Sequence, residues 1–183
     1  LKSIFEKVEK EGLHLEPGVE DIHSQLEIEL TGMAGVAGKK IHTGRSRNDQ
    51  VLVSLRLFMR NEMSIIGKRV KELSDQLLAK AEEYREVLMP GYTHMQIAMV
   101  SSFGLWFACW AESLGDDLLH IQTAFRLNNR NPLGSAAGYG TDLPVDRDYT
   151  ATLLEFDDLN IISSYAQLSR SKTDIASAQA LAA

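Results

Sequence analysis

The chain has 183 residues, of which 44% are hydrophobic and 24% are charged, a composition typical of a folded protein that buries one sizeable core. Lys and Arg number 19 against 25 Asp and Glu, so the net charge of −6 disfavours nucleic-acid binding, which needs a basic face. No run approaches the roughly 18 uncharged apolar residues that span a bilayer, and no signal-peptide pattern opens the chain. We therefore expect a cytoplasmic protein without a membrane partner.

The single cysteine, Cys109, cannot form an internal disulfide, which agrees with a reducing compartment. There is no Cys/His cluster, and no metal site is predicted. The chain starts at Leu1, and its last six residues, AQALAA, follow an apolar helical pattern without a cap. We therefore expect it to be part of a longer protein.

Two long helices and several shorter ones are predicted from the spacing of apolar residues. Nine apolar positions between Leu52 and Ala81 recur at a mean spacing of about 3.6 residues, the period of a straight amphipathic helix. We expect this helix to run from about Asp49 to about Val87, which at 1.5 Å per residue is roughly 57 Å. The shorter helices fit residues 1–12, 19–31, 146–156 and 162–183.

A second stripe of apolar residues predicts the other long helix. Its aromatic members are Phe103, Trp106, Trp110 and Phe125. Their spacing is again near 3.6 residues, so they share one face of the helix. Core packing explains such a stripe better than a cofactor site does, and we expect a heavily buried face.

A Gly-rich segment at residues 131–144, NPLGSAAGYGTDLP, ends that helix. It lacks GxGxxG and the P-loop pattern, and no strand precedes it, so a nucleotide site is not supported. The segment either connects two helices or lines a site, and Asp142 or Asp146 is expected to cap the next helix. No strand-like alternation is predicted anywhere. The fold class is therefore all-α, with a bundle of long helices as its architecture.

Residues 39–50, KKIHTGRSRNDQ, gather four basic side chains and one acidic one immediately before the first long helix. Ser46 and Asp49 have the spacing of a capping box, with Asp in place of Glu. Free N–H groups and the positive end of the helix dipole should then point toward Ser46, Arg47 and Asn48, and helices bind anions in this way. The Arg47 guanidinium can grip a carboxylate, and Asn48 can donate or accept. A solvated basic turn is the simpler alternative.

Residues 89–96, MPGYTHMQ, form a second polar segment, whose Pro-Gly pair is expected to end the first long helix. His94 would lie in a loop between two helices, where a histidine can titrate near neutral pH and transfer protons. Thr93 offers a hydroxyl that could hold a carboxylate, and Gln96 completes the polar set. A structural role is the alternative for a lone histidine.

A third segment, EDIHSQLE at residues 20–27, places two carboxylates and a serine near one face of a short helix and His23 near another. A solvated surface helix is its simpler interpretation. Asn48 at the head of the long helix and His94 beyond its far end would lie some 50 Å apart in one chain. A site that uses both residues must therefore be shared between chains of an oligomer.

Together these segments resemble the argininosuccinate lyase branch of the fumarase/aspartase superfamily. HTGRSRNDQ at 42–50 is similar to the first signature of this branch, and GYTHMQ at 91–96 is similar to the second. EDIH at 20–23 and NPLGSAAG at 131–138 fall where the family has similar segments. The resemblance spans nearly the whole chain, and a nine-residue, mostly polar run at the head of a long helix is far more specific than a single histidine.

The resemblance implies a homotetramer built on a central helical bundle, with each active site assembled from three subunits. The implied reaction is the reversible β-elimination of argininosuccinate to arginine and fumarate, without a metal or an organic cofactor. By the family pattern, His94 is the base or its partner, with Thr93 beside it, and Asn48 and Thr93 hold the dicarboxylate substrate. The remaining implied binding residues are Ser46, Arg47, His23 and Gln96.

The chain departs from the common branch at three places. Residues 97–100 replace the usual RAQP, Arg170 stands in a stretch that is usually more acidic, and a serine-bearing loop that forms the third signature is absent. We therefore expect a divergent subgroup and a chain that is inactive by itself. Residues 1–45 would end an N-terminal helical domain, and 46–183 would open the central bundle. Another succinyl adduct as substrate, or a non-catalytic crystallin-like structural role, remains the alternative.

Overall fold

The computed structural model describes residues 1–183, and helices dominate it. The helices are α1 (Lys2–Glu11), α2 (Ile22–Ala34), α3 (Arg47–Glu83), α4 (Phe103–Asn128), α5 (Arg147–Leu153), α6 (Ser163–Leu168) and α7 (Arg170–Leu181), and a 3-10 helix, Gly35–His42, follows α2. The strands are β1 (Leu88–Thr93), β2 (Gln96–Ser102), β3 (Arg130–Asn131) and β4 (Asp158–Leu159). The predicted all-α class is confirmed. None of the helices is long and apolar enough to cross a membrane.

Both long helices lie where the apolar period predicts them, but several helix boundaries differ from the prediction. Helix α2 lies three residues later than the predicted 19–31, and α5 ends three residues before the predicted end at 156. Helix α3 ends at Glu83 and does not reach Val87. The single helix predicted for residues 162–183 is wrong, because Ser169, with φ −89° and ψ 9°, separates α6 from α7. The break lies in the backbone, because this ψ is outside the helical range and the Ser169 hydroxyl makes no capping hydrogen bond. The predicted cap of α5 is confirmed at Asp146, which accepts the Tyr149 N–H at 2.7 Å.

An antiparallel hairpin, β1–β2, occupies residues for which the sequence predicts no strand. Thr93 pairs with Gln96 beside the turn, and the register shifts between Pro90 and Tyr92. The predicted absence of strands is therefore wrong, and so is the prediction that Pro90 and Gly91 end α3. Proline is tolerated here because it lies at an irregularity of a two-stranded sheet. Most residues on both faces of the hairpin are exposed, so no apolar alternation marks it in the sequence.

The chain divides into two compact units, of which unit 1 comprises Leu1–Ser54 and Asn131–Leu168. Its buried apolar side chains are Ile4, Leu52, Leu133, Ala151, Phe156 and Ala166. The 3-10 helix packs closely on α2, because a Cβ atom at Gly38 would come within 2.6 Å of the Leu30 backbone. Unit 1 therefore holds the beginning of α3, α2 and the Gly-rich segment in one packed body.

Unit 2 comprises Leu55–Arg130 and Ser169–Ala183. Its apolar core consists of Met63, Ile121, Ala124 and Ala180, with Ile66, Val70, Leu118 and Phe125 packed against it. Polar contacts add to this core, since Asn128 Nδ2 donates to Ser177 Oγ at 2.9 Å and so links α4 to α7. Unit 2 thus packs the later turns of α3, α4 and α7 together and carries the hairpin.

The aromatic stripe of α4 is only partly covered. Trp106 and Trp110 contact each other edge to face with ring centroids 6.1 Å apart, yet they are 45% and 51% exposed. Ile121 and Ala124, further along the same helix, are buried in the core of unit 2. The prediction of a heavily buried face is therefore wrong for the first half of α4. The period identifies which face is apolar, but it does not reveal whether this chain covers that face.

Candidate active site

The N-terminus of α3 forms one of the two contacts of the predicted capping box, because the Ser46 hydroxyl accepts the Asn48 N–H and not the Asp49 N–H. Asp49 Oδ1 accepts the Ser46 N–H at 2.9 Å, and Ser46 Oγ accepts the Asn48 N–H at 3.3 Å. These two amides are therefore satisfied within the chain and are not free to bind an anion. The Asn48 side chain is exposed and makes no hydrogen bond within the chain, so this amide group is available to a ligand.

Arg47 is held in place by two residues of the preceding helix. Its Nε lies 3.2 Å from Asp21 Oδ2, and its Nη2 donates to Ser24 Oγ at 3.0 Å. Asp21 is also the N-cap of α2 and accepts the Ser24 N–H at 2.8 Å. This hydrogen bond, and more weakly the Arg47 charge, lowers the pKa of Asp21. The carboxylate therefore stays ionised near neutral pH and fixes one edge of the Arg47 guanidinium.

His23 follows Asp21 directly and is half-buried. Burial lowers the pKa of His23, the Asp21 carboxylate opposes this effect, and the Arg47 charge adds to it. Because the ordinary value for histidine is near 6.5, the imidazole is neutral near neutral pH. His23 can therefore offer a hydrogen bond to a substrate, but it does not supply a positive charge.

The tip of the hairpin carries the second group of candidate residues. His94 and Met95 form the two-residue turn with φ values of 51° and 62°, both in the left-handed region. Such a turn favours glycine or asparagine, and a residue with a Cβ atom pays about 1 to 2 kcal/mol there. The side chains of Thr93, His94 and Gln96 are exposed and make no hydrogen bond within the chain. Strained residues of this kind are frequent at functional sites.

Replacing Met95 by Gly is expected to stabilise the hairpin by about 0.5 to 1 kcal/mol, because the relief of left-handed strain exceeds the entropy cost of glycine. Hydrogen exchange of the β1 and β2 amides measures this effect as slower exchange. Ile97→Gly is the matched control on β2, and it should speed exchange because a strand position loses its side chain. Faster exchange in Met95→Gly would show that the turn is not strained.

The structure thus places the sequence-predicted residues in two groups. Unit 1 holds His23, Ser46, Arg47 and Asn48 around the junction of α2 and α3, and unit 2 holds Thr93, His94 and Gln96 at the hairpin tip.

Sequence reasoning missed Asp21 as the residue that fixes Arg47. A signal was present for its place in the fold, because an Asp immediately before an apolar helical stretch is typical of an N-cap. No group of three or more His, Cys, Asp or Glu side chains is arranged to hold a metal ion.

A bundle of long helices with polar segments at the start of α3 and at the tip of the hairpin is typical of one class of helical lyases. A family model described as lyase matches residues 1–180, and the chain belongs to this lyase family. It is 55% identical to the argininosuccinate lyase of Bacteroides thetaiotaomicron and 53% identical to that of Phocaeicola vulgatus. Each match extends over 182 residues and covers 100% of this chain and 41% of the relative. The resemblance inferred from the motifs is confirmed, and the chain spans about two fifths of the length of these relatives.

Solved structures support the same family. A variant of EDDS lyase with bound fumarate matches with a TM-score of 0.87 and 26% identity, covering 98% of this chain and 35% of that chain. The class II fumarase of Schistosoma mansoni matches with a TM-score of 0.59 and 20% identity, covering 77% and 36%. The fumarase supports the fold alone. The predicted fumarase/aspartase type of bundle is confirmed.

Proposed function

We propose that this chain supplies part of an argininosuccinate lyase, which reversibly eliminates arginine from argininosuccinate and releases fumarate. The observation that carries the proposal is the identity of 53 to 55% to curated argininosuccinate lyases along the whole chain. The similarity to EDDS lyase is much lower, at 26%. Because the chain covers 41% of these relatives, the activity is assigned to the complete protein. These residues alone are expected to be inactive.

In the proposed reaction, a base removes a proton from the carbon next to a carboxylate of the succinyl group. The electron pair forms the double bond of fumarate, and the C–N bond breaks with its electrons passing to the nitrogen of arginine. Negative charge builds up on the neighbouring carboxylate before the nitrogen departs. Hydrogen-bond donors aimed at that carboxylate stabilise the transition state more than the ground state.

Asn48 and Thr93 are the proposed donors to this carboxylate. Both side chains are exposed and have no hydrogen-bond partner within the chain, as a donor reserved for substrate requires. By analogy with oxyanion holes, each donor is worth about 3 to 4 kcal/mol of transition-state stabilisation. His94 is the proposed proton-transfer residue, acting as the base or as its partner.

The other binding residues are assigned to the remaining polar groups of the substrate. Arg47 keeps N–H donors that Asp21 and Ser24 do not use, and they can hold a second carboxylate. Ser46, His23 and Gln96 supply neutral hydrogen bonds. Neither a metal ion nor an organic cofactor is needed in this scheme, because the donors and the base are side chains.

We further propose a cytoplasmic homotetramer in which subunits share each active site. Helix α3 has 37 residues, which corresponds to about 55 Å, and Asn48 lies in its first turn while the hairpin follows its last. A substrate as small as a dicarboxylate cannot bridge such a length, so different subunits would supply Asn48 and His94. Residues 1–45 would end an N-terminal domain, and residues 46–183 would open the central bundle.

The test is a chimera in which this chain replaces the matching residues of the Bacteroides thetaiotaomicron argininosuccinate lyase, to which it is 55% identical. The chimera should form fumarate from argininosuccinate, measured by ultraviolet absorbance, and should elute as a tetramer from a sizing column. The parent enzyme is the positive control. A folded tetramer without activity on argininosuccinate would contradict the proposal.

The same chimera separates the alternatives. EDDS is the second candidate substrate, because EDDS lyase matches with a TM-score of 0.87. Preferential turnover of EDDS or of another succinyl adduct would change the substrate and keep the reaction. A tetramer that turns over none of these compounds would favour a structural, crystallin-like role.

A further inference from the structure

The carboxylate of Asp49 is fully buried at the start of α3, with a relative exposure of 0%. One oxygen, Oδ1, accepts the Ser46 N–H at 2.9 Å. The other oxygen, Oδ2, accepts the Gly134 N–H at 3.2 Å and the Ala136 N–H at 2.9 Å. Charged acceptors make the stronger hydrogen bonds in proteins, so this side chain ties the tip of α3 firmly to a loop that lies 85 residues later.

The loop is shaped to receive this carboxylate. Gly134 and Ala136 have φ values of 85° and 49°, and their two N–H groups, which we call the nest, both donate to Asp49 Oδ2. At Ala136 the conformation is strained, because the residue has a Cβ atom. At Gly134 a Cβ atom would also come within 2.7 Å of the Arg147 side chain. The nest is therefore built at a cost in local strain, and the protein's own carboxylate fills it.

A second side chain holds the nest from the other side. Gln167 Nε2 lies 3.1 Å from both Ser135 Oγ and the Ala136 carbonyl oxygen and donates to them. The Ser135 carbonyl accepts the N–H groups of Gly138 and Gly140 at 2.9 and 3.0 Å. The loop is thus fixed from within and from α6, and it can act as a rigid template for the helix tip.

We infer that Asp49 is a positioning residue for the part of the substrate that becomes fumarate. Asp49 does not itself touch the substrate. It acts through Ser46 and Asn48, because the same carboxylate that fills the nest holds the Ser46 N–H, and Ser46 Oγ in turn holds the Asn48 N–H. The Gly-rich loop therefore does not bind substrate with its Gly134 and Ala136 amides. This inference rests on the proposed function, since it assigns Asn48 to the carboxylate that becomes part of fumarate.

The test is Asp49→Asn in the active chimera. The new amide group keeps one acceptor but turns an NH₂ toward N–H donors, so the helix tip should shift away from the nest. We expect the KM for argininosuccinate and the inhibition constant of fumarate to rise about tenfold, the size of one lost charge-assisted hydrogen bond. The inhibition constant of arginine should stay unchanged, because arginine lacks the dicarboxylate. A merely structural role would lower the amount of active enzyme and leave all three constants unchanged.

Two further variants keep the inference testable. Asp146→Asn is the matched control, because Asp146 caps α5 by accepting the Tyr149 N–H at 2.7 Å and makes no hydrogen bond to Ser46. Its KM and inhibition constants should equal those of the unaltered chimera. Gln167→Ala removes the side chain that holds the nest and leaves Asp49 unchanged. It should raise the inhibition constant of fumarate about threefold, and it tests the inference even if Asp49→Asn does not fold. The inference would be overturned if the inhibition constant of fumarate were unchanged in the folded variants. It would also be overturned if the inhibition constants of fumarate and arginine changed equally. Inactivity of the unaltered chimera would instead reject the proposed function.

Discussion

Replacing His94 by Asn in the complete enzyme should lower the turnover number at least about a hundredfold, the range typical for removal of a general acid or base. Asparagine is the suitable replacement, because it adopts left-handed backbone more readily than other non-glycine residues and so tolerates the φ of 51° at this turn. It retains hydrogen bonding but cannot exchange a proton near neutral pH. The measurement is kcat for fumarate formation by the chimera, with KM determined in parallel.

A matched control is His14→Asn. His14 is exposed and lies outside both groups of candidate residues, so this change should leave kcat unaltered. If His94 acts in proton transfer, the loss should fall on kcat and leave KM within a few fold, because little ground-state binding is removed. Unchanged turnover in His94→Asn would exclude this residue from the mechanism.

Gly104→Ala is expected to destabilise unit 2 by about 3 kcal/mol, at the upper end of the range for overpacking. A Cβ atom at this position would lie 2.5 Å from Arg85 Cα and 2.7 Å from the Ala81 carbonyl oxygen. Both are backbone atoms, which cannot rotate away as the end of a side chain can. The first turn of α4 is also tied here, since the Gly104 N–H donates to the Tyr84 carbonyl at 3.1 Å. Urea unfolding followed by circular dichroism measures the loss.

Gly115→Ala in the same helix is the control, because nothing lies within 4 Å of the added Cβ atom. Alanine has the higher helix propensity, so this variant should gain up to about 1 kcal/mol. The opposite signs of two identical substitutions in one helix test the close approach at Gly104. Equal effects would show that the backbones separate easily there.

The helices were the predictable part of the fold. Their apolar residues recur at the helical period, and local signals such as Asp146 mark their starts. The hairpin was not predictable in the same way. Most residues of its strands are exposed. Its turn residues, His94 and Met95, are not the Asn-Gly pair that predicts a two-residue turn. Its existence depends on pairing between strands, which a window along the sequence does not detect.

The candidate site was predictable where its residues are neighbours in the sequence. Ser46, Asn48 and Asp49 share one helix start, and the contact of the Ser46 N–H with Asp49 follows from spacing alone. The second carboxylate oxygen of Asp49 was not predictable, because its partners at Gly134 and Ala136 lie 85 and 87 residues away. The same holds for Arg47, whose partner Asp21 belongs to another helix. The motif indicates which residues are present, and tertiary folding decides which of their atoms remain free.

The continuity of α3 has a consequence for how this family can change length. Met63, Ile66 and Val70 of this helix all pack in the core of unit 2. Each residue advances an α-helix by about 100°. A single inserted amino acid between Met63 and Val70 would rotate the apolar residues on either side of it by this angle, so they would no longer face the same core. Insertions and deletions should therefore accumulate in the segments between helices. The number of residues in this part of α3 should stay constant across the family.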